Sequence, residues 1–415
     1  MSGPRSAPAA HSILFILTYS LIIRSVNLPS SLAHLPPAPP EAQAVSDQLA
    51  ALIAGEIAAA GGWISFARYM ELALYAPGLG YYSAGSRKLG RDGDFITAPE
   101  LSPLFGRCLA RQLAELIGRG LTDVVEIGAG SGALACGLLT ELAALGQMPG
   151  NYFILEVSAD LRERQRARLA ADAPQQAGKV RWLDVLPPHF DGIIIGNEVL
   201  DAIPVHIVRT HGGAIEEMGV TGGQNGQPLA RGYRNAGGAL LAAAEKLGLP
   251  DDYETEINLA ARAFVKSFAR ILRRGAMLFI DYGFPAREFY HPQRSRGTLM
   301  CHYRHHAHAD PLCLVGLQDI TAHVDFSAIA DAGAAAGLDI LGYTTQAQFL
   351  INCGITDIML RTPPENTAAY LPQAAAAQQL LSPAEMGELF KVIAFGKGYA
   401  APLLGFASGD RRGSL

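Results

Sequence analysis

The chain has 415 residues, 49% of them hydrophobic, and its 33 Lys+Arg against 38 Asp+Glu give a formal net charge of -5. That length and apolarity allow a large core divided over two or three domains, and the missing basic excess argues against nucleic acid as the main partner. Cys108, Cys136, Cys301, Cys313 and Cys353 are scattered, odd in number and free of C-x-x-C spacing, which speaks against a disulfide framework or a zinc ribbon and for a reducing compartment.

The first apolar run, Ile13–Ile23, is eleven residues long. A bilayer span needs roughly 20. A signal peptide with a small-x-small site at Ser31-Leu32-Ala33 is the alternative, but Arg24 closes the run early and Arg5 is the one basic side chain ahead of it. LPPAPP (Leu35–Pro40) reads as a linker. Residues 1–44 are therefore expected to be a disordered extension without stable membrane insertion. The chain is expected to be cytoplasmic if bacterial, with export or mitochondrial targeting as the weaker reading.

Residues 45–120 read as a helical N-terminal portion. Its helices break at Gly61-Gly62, and Ser65 is a plausible N-cap for FARYMELALY, whose apolar positions recur at helical spacing. The Gly-, Pro- and Ser-rich stretch Ala76–Gly106 precedes a helix at Arg107–Ile117. So long a loop is usually functional, and it is expected to cover a cofactor.

Residues 121–408 form the expected core. TDVVEIG, NYFILEV, KVRWLDV, FDGIIIGNEVLD and AMLFIDYG alternate with helical stretches such as SGALACGLLTELAAL and SADLRERQRARLAA. Strands alternating with helices predict an α/β fold, a mostly parallel sheet with helices on both faces. An insertion is expected around residues 206–270, with a hairpin in HIVRTHGGAIEEMGVTGG, an exposed Gly-rich elaboration over Gly212–Gly238 and a helix over Glu254–Arg274. Residues 284–335 are a substrate-side elaboration. LDILGYTTQ and YAAPLLGFAS are the expected closing strands.

In such sheets ligands bind beyond the carboxyl ends of the strands. Those tips carry Glu126 to Gly132, Glu156, Asp184, then Asn197, Glu198 and Asp201, and finally Asp281. The loop GAGSGALA lacks the Lys and Ser/Thr of a phosphate-binding Walker loop. It formally satisfies the dinucleotide pattern, so an NAD-linked oxidoreductase is an alternative. Glu126, just before the glycines, would repel a pyrophosphate but attract a sulfonium or an α-ammonium group. S-adenosylmethionine carries both cations and fits better. Gly128, Gly130 and Ser131 would meet its amino-acid end, Glu156 its ribose, and Asp184 and Val185 its adenine.

The stretches SFARYMELALYAPGLGYYS, GDFITAPELSPLFG, VVEIGAGSGALA, YFILEVSADLRERQ, NEVLDAIPV, DYG and DITAHVDF, spread over Gly62 to Gly354, resemble one family. It is the class I methyltransferase family that includes the mitochondrial complex I assembly-factor arginine methyltransferase and its bacterial relatives. The resemblance implies a Rossmann-like methyltransferase core with a helical N-terminal portion and an inserted segment. It implies S-adenosylmethionine as methyl donor and a protein arginine as acceptor, in mitochondrial members on a respiratory complex I subunit. The expected cofactor set is Thr97, Pro99, Glu100, Glu126, Gly128, Ala129, Gly130, Ser131, Gly132, Glu156, Val157, Asp184, Val185 and Asn197. A non-catalytic assembly factor of the same fold is the alternative from another class.

Methyl transfer needs an aligned nucleophile and no metal. A guanidinium is delocalised and protonated, and carboxylates can fork it and polarise one nitrogen. Glu198 is the expected guanidinium partner, with Asp201 as support on one face should the segment turn helical. Asn197 would face the cofactor or the reacting nitrogen. His323 is a candidate proton acceptor, since its ordinary pKa lies near neutrality, and Asp281 would line the substrate side. Arg87, Lys88 and Arg91 read as a solvated face. CHYRHHAHADPLC (Cys301–Cys313) suggests zinc at first sight, but the missing paired ligand spacing argues against metal, leaving His305 and His308 a structural or substrate role. Trp63 reads as core, and Trp182 as core or adenine-pocket wall.

Overall fold

The structure, a computed structural model, describes residues 35–84, 96–223 and 228–415. The apolar run Ile13–Ile23, the small-x-small site and the basic residues Arg87, Lys88 and Arg91 lie outside the described residues. A helix begins at Pro40, five residues inside the stretch expected to be an extension, and runs to Ala59 with Pro40 in its first turn. None of the described helices is long and apolar enough to cross a membrane.

In chain order the strands are β1 (Trp63–Ser65), β2 (Val124–Ile127), β3 (Tyr152–Leu155), β4 (Val180–Leu183), β5 (Phe190–Asn197), β6 (His206–His211), β7 (Ala214–Gly222), β8 (Leu229–Asn235), β9 (Tyr253–Ile257), β10 (Leu272–Phe284), β11 (Met300–Tyr303), β12 (His306–His308), β13 (Asp319–Thr321), β14 (Val324–Asp325), β15 (Asp339–Thr345) and β16 (Phe390–Lys397). The main sheet has the order β15-β16-β10-β5-β2-β3-β4, with β14 against the end of β10. The pairs β10/β5, β5/β2, β2/β3 and β3/β4 are parallel, and β16 runs antiparallel between β10 and β15. The expected Rossmann-like α/β core is therefore present.

Side chains on these strands alternate between two cores, as a period of two requires. Val124, Ile193, Ile195, Leu278, Val392 and Ala394 face the helices Pro103–Gly118 and Ala133–Ala144. Val125, Ile127, Ile194, Phe279, Ile393 and Phe395 face the helices Leu259–Ile271 and Phe326–Ala335. Both faces are covered, which is why the strands read as nearly unbroken apolar runs.

A second lobe has its own sheet of β1, β6, β7, β8 and β9. Leu49, Ile53, Phe66 and Met70 from the first two helices pack there with Ile207, Met218 and Val220, and with Cys301, Val315 and Ile320. The N-terminal residues, the insertion and the substrate-side elaboration thus share one core.

Four element expectations need correction. Gly212–Gly238 is not merely an exposed elaboration, because β7 lies inside the sheet and pairs with β1, β6 and β8. Glu254–Arg274 is not one helix. Its start pairs with β6 as β9, Asn258 caps the helix Leu259–Ile271 through Ala261 N, and Leu272 already belongs to β10. The last strand is Phe390–Lys397 rather than YAAPLLGFAS, which lies outside any strand and contributes Phe406 to the ring of Phe349. Lys391 within this strand is buried and donates to the carbonyls of Glu388 and Leu389. Finally, the portion 45–120 is divided. Its first part joins the second lobe, whereas the helix Pro103–Gly118 packs on the main sheet.

Candidate active site

β2 delivers the loop that follows it. Gly128, Gly130 and Gly132 have φ of 60°, 53° and 86°, a left-handed region that costs glycine least. A Cβ on Gly128 would come within 3.0 Å of Val199 Cγ1, and one on Gly132 within 3.3 Å of Gln165 Cα. The backbone therefore turns tightly between the sheet and the helix Ala133–Ala144, leaving its surface bare.

Glu126 lies beneath this turn at 1% exposure, and its Oε2 accepts from the Tyr152 hydroxyl at 2.6 Å. Burial pushes its carboxyl up to about 7, against the lowering effect of that bond. Glu126 is thus not the open carboxylate the motif suggested. It favours a cation through its field, from a buried position.

At the tip of β3, Glu156 is buried. Its Oε1 accepts from Ser158 N at 3.0 Å and its Oε2 from Gln165 Nε2 at 3.1 Å. Both oxygens are thus held by the protein, in an arrangement in which a carboxylate can also accept from a ribose hydroxyl. Gln165 also donates to the Gly130 carbonyl at 2.9 Å and accepts from Trp182 Nε1 at 2.8 Å. Arg162 joins the tips of β3 and β4 by donating to the carbonyls of Glu156 and Leu183 and to Asp184 Oδ1 at 2.5 Å. Val157 and Val185, at the same two tips, are 83% and 77% exposed. Two bare apolar side chains beside Glu156 suit the faces of a purine. Trp182 has Arg166 over its ring at 4.7 Å and bonds to Gln165, so it supports the pocket from behind.

β5 ends in the second cluster. Asn197 Nδ2 donates to Glu198 Oε1 at 2.9 Å. Glu198 has φ 51°, and its N–H donates to the Ile280 carbonyl at 2.8 Å. Such a backbone costs about 1–3 kcal/mol in a non-glycine residue and tends to mark functional sites. Burial first, then the charge of Asp201, raises the Glu198 carboxyl to about 8. The segment makes turns rather than the helix that would have put Glu198 and Asp201 on one face. Asp201 Oδ2 instead accepts from the Tyr282 hydroxyl at 2.6 Å, and burial raises that carboxyl to about 6. Asp281 is fully buried and accepts from the backbone N–H of Leu200, Asp201 and Tyr282, so it shapes the corner instead of lining it. Asn197 Oδ1 and Asp201 Oδ1 are buried acceptors without a hydrogen-bond partner.

His323 stacks on Phe284 with centroids 5.4 Å apart and meets Tyr282 edge-on at 5.1 Å. Burial and the nearby Arg294 push it down to about 3, so it is neutral and weakly basic at neutral pH. The proton-acceptor role expected for it is corrected to that of an aromatic wall.

Within the stretch Ala76–Gly106 expected to cover a cofactor, Ala98–Leu101 forms a short helix with Thr97 as N-cap and Pro99 in its first turn. Glu100 is engaged within the protein. Its Oε1 accepts from Arg168 Nη1 at 2.6 Å and from the Ser131 hydroxyl, and Arg168 also donates to Ser131 Oγ at 2.6 Å.

Residues 104–344 match the family described as "Putative S-adenosyl-L-methionine-dependent methyltransferase". The chain belongs to this methyltransferase family. Relatives include the Danio rerio "Protein arginine methyltransferase NDUFAF7, mitochondrial", 30% identical over 364 residues, covering 80% of this chain and 83% of that protein. The Caenorhabditis elegans homolog of that name is 28% identical over 326 residues, covering 71% and 74%. A Burkholderia thailandensis protein crystallised with S-adenosyl-homocysteine superposes with a TM-score of 0.89 at 53% identity, covering 92% of this chain and all (100%) of that one. A native crystal structure from the same organism gives 0.85 at 52%.

The methyltransferase takes S-adenosylmethionine as its cofactor. Its own residues fit that group: a bare glycine turn, a buried acid at the tip of β3, and two exposed valines. Sequence patterns missed Gln165, Arg162, Arg168 and Tyr152. The first three recur at i, i+3 and i+6 on one helix, a periodicity that could have flagged a shared face.

In the His-rich segment, β11 and β12 form a hairpin whose turn residues Arg304 and His305 both have positive φ. Burial pushes His302 down to about 4. Among the described residues, no three His, Cys, Asp or Glu side chains converge into a metal-holding group.

Proposed function

We propose that this methyltransferase modifies an arginine side chain of a protein, with Glu198 holding the guanidinium. The observation that carries the reading is the corner after β5, where Asn197 Oδ1 and Asp201 Oδ1 are buried acceptors without partners beside Glu198. Unpaired buried acceptors are costly. A guanidinium brings five N–H donors in a planar fork and a positive charge.

The cofactor supplies a methyl group on positively charged sulfur; as a nitrogen bonds to that carbon, the carbon–sulfur bond breaks and the nitrogen loses a proton. Glu198 accepts hydrogen bonds from the guanidinium and orients one nitrogen. Burial raises its carboxyl to about 8 with no cation beside it; a bound guanidinium favours the carboxylate, which can then accept the N–H bonds and take the released proton. Asp201, held by Tyr282, supports the same cation. Asn197 accepts from a second N–H. The names of the relatives support an arginine acceptor, and the family resemblance suggests a respiratory complex I subunit as the protein.

The test is transfer of labelled methyl to protein from cells lacking this gene, followed by acid hydrolysis. Label in methylarginine is expected, and Glu198→Gln should lower it about 100-fold while S-adenosyl-homocysteine still binds, as for loss of one transition-state contact. Label on lysine or on carboxyl groups instead would overturn the reading.

A further inference from the structure

The turn that carries Asp201 has neither helix nor strand between Glu198 and Val205, yet three consecutive carbonyls in it have donors from three separate elements. Ala322 N–H donates to the Asp201 carbonyl at 3.1 Å, the Tyr75 hydroxyl to that of Ala202 at 3.0 Å, and Asn258 Nδ2 to that of Ile203 at 3.0 Å. Tyr75 ends the helix Phe66–Tyr75, which belongs to the second lobe. Its ring stacks on Tyr82 with centroids 5.5 Å apart, and the Tyr82 hydroxyl donates to Asp319 Oδ1 at 2.9 Å. Asp319 begins β13, whose end leads straight into Ala322. The contacts close a ring, from Asp201 and Ala202 through two tyrosines and β13 back to Asp201.

Packing alone does not call for either hydroxyl. A phenylalanine ring would stack as well, and the bonds that the hydroxyls make go to the corner and to the strand that returns to it. The stretch APGLGYY makes the stack possible. A Cβ on Gly80 would lie 2.7 Å from Tyr75 N, so a bare backbone is needed where the chain folds back over the helix end and brings Tyr82 onto Tyr75. Tyr82 N–H then bonds the Leu74 carbonyl at 2.8 Å, which fixes the fold-back.

We infer that Tyr75 is a positioning residue for the methyl acceptor: from the second lobe its hydroxyl holds the Ala202 carbonyl, and so fixes the direction of the Asp201 carboxylate, whose Oδ1 is buried without a partner. Tyr82 acts in the same way at one remove, through Asp319 and β13. The inference rests on the reading above, in which the corner after β5 receives the acceptor. That corner is then a joint product of the two lobes, whereas the glycine turn and Glu156 lie on the main sheet.

The experiment measures transfer of labelled methyl from S-adenosylmethionine to protein extracted from cells lacking this gene, with the full chain and its Tyr75→Phe and Tyr82→Phe variants. In Tyr75→Phe the extract concentration that gives half the maximal rate should rise about tenfold, as for one lost hydrogen bond. The maximal rate should stay unchanged, since the hydroxyl acts on acceptor binding and not on the methyl group. Tyr82→Phe should raise the same concentration by less. Calorimetric binding of S-adenosyl-homocysteine should match wild type in both, which shows that they are folded. Should Tyr75→Phe lose that binding, Tyr82→Phe decides the question by the same criterion. An unchanged half-saturating concentration in the folded variant, or a fall in maximal rate in its place, overturns the inference. Label on a residue other than arginine, with the rise in Tyr75→Phe intact, upholds it and removes only the arginine reading.

Discussion

Gln165 Nε2 donates to Glu156 Oε2 at 3.1 Å, and the same amide donates to the Gly130 carbonyl at 2.9 Å. One buried side chain thus fixes Glu156 against the glycine turn. Gln165→Leu keeps the volume and removes these donors, together with the acceptor for Trp182 Nε1. An unsatisfied buried polar group costs about 1–3 kcal/mol. Titration calorimetry should show S-adenosyl-homocysteine binding about tenfold weaker, that is by about 1.4 kcal/mol. Unchanged affinity would mean that Glu156 needs no such support.

Val185 is 77% exposed and so contributes little to the folded state. Val185→Asp should leave the denaturation midpoint unchanged within about 0.5 kcal/mol. If the side chain lies on the purine, the same change should weaken S-adenosyl-homocysteine about tenfold through lost apolar contact and a desolvated charge. Equal affinities in a folded variant would move the adenine elsewhere.

The corner acids make a distinct forecast for pH. Glu198 is raised from 4.5 to about 8, and Glu126 to about 7. An acid with a higher pKa folded than unfolded binds its proton more tightly in the folded state. Its stabilisation is complete below about 4.5 and is lost as pH rises through the folded value. Thermal midpoints of the ligand-free protein should therefore fall between pH 6 and pH 9, and Glu198→Gln should flatten that slope. A wild-type midpoint that climbs over this interval contradicts the forecast.

Tyr282→Phe removes the one strong bond to Asp201, whose other oxygen already lacks a partner. That bond holds the Asp201 carboxyl down against burial, so its loss should raise the value further. Chemical denaturation should show a loss of about 1–3 kcal/mol. The acidic limb of the transfer rate should also move to higher pH. A limb that stays in place would detach Asp201 from the reaction.

The glycine turn and the acids after β3 and β5 were legible because strand, turn and helix are neighbours in the chain, and the spacing of Gly128, Gly130 and Gly132 encodes a local backbone requirement. Asp184 was legible as a tip residue, but its bond to Arg162 was not. His323 looked like a base because its ordinary pKa is near neutrality. The stacking on Phe284 and the burial that make it a poor one come from elements far apart in sequence. Glu100 looked like a ligand contact, and the helix Ala159–Asp172, distant in sequence, supplied its arginine.

By itself the amino-acid order determined the alternation of strands and helices, the glycine turn after β2 and the acids beyond the strand tips, since each depends on neighbours within a few residues. Tertiary structure alone decided which acids are buried, which oxygens have donors, and that residues before Tyr75 share a core with β7. Those outcomes depend on desolvation and on contacts across layers, and no local pattern carries either.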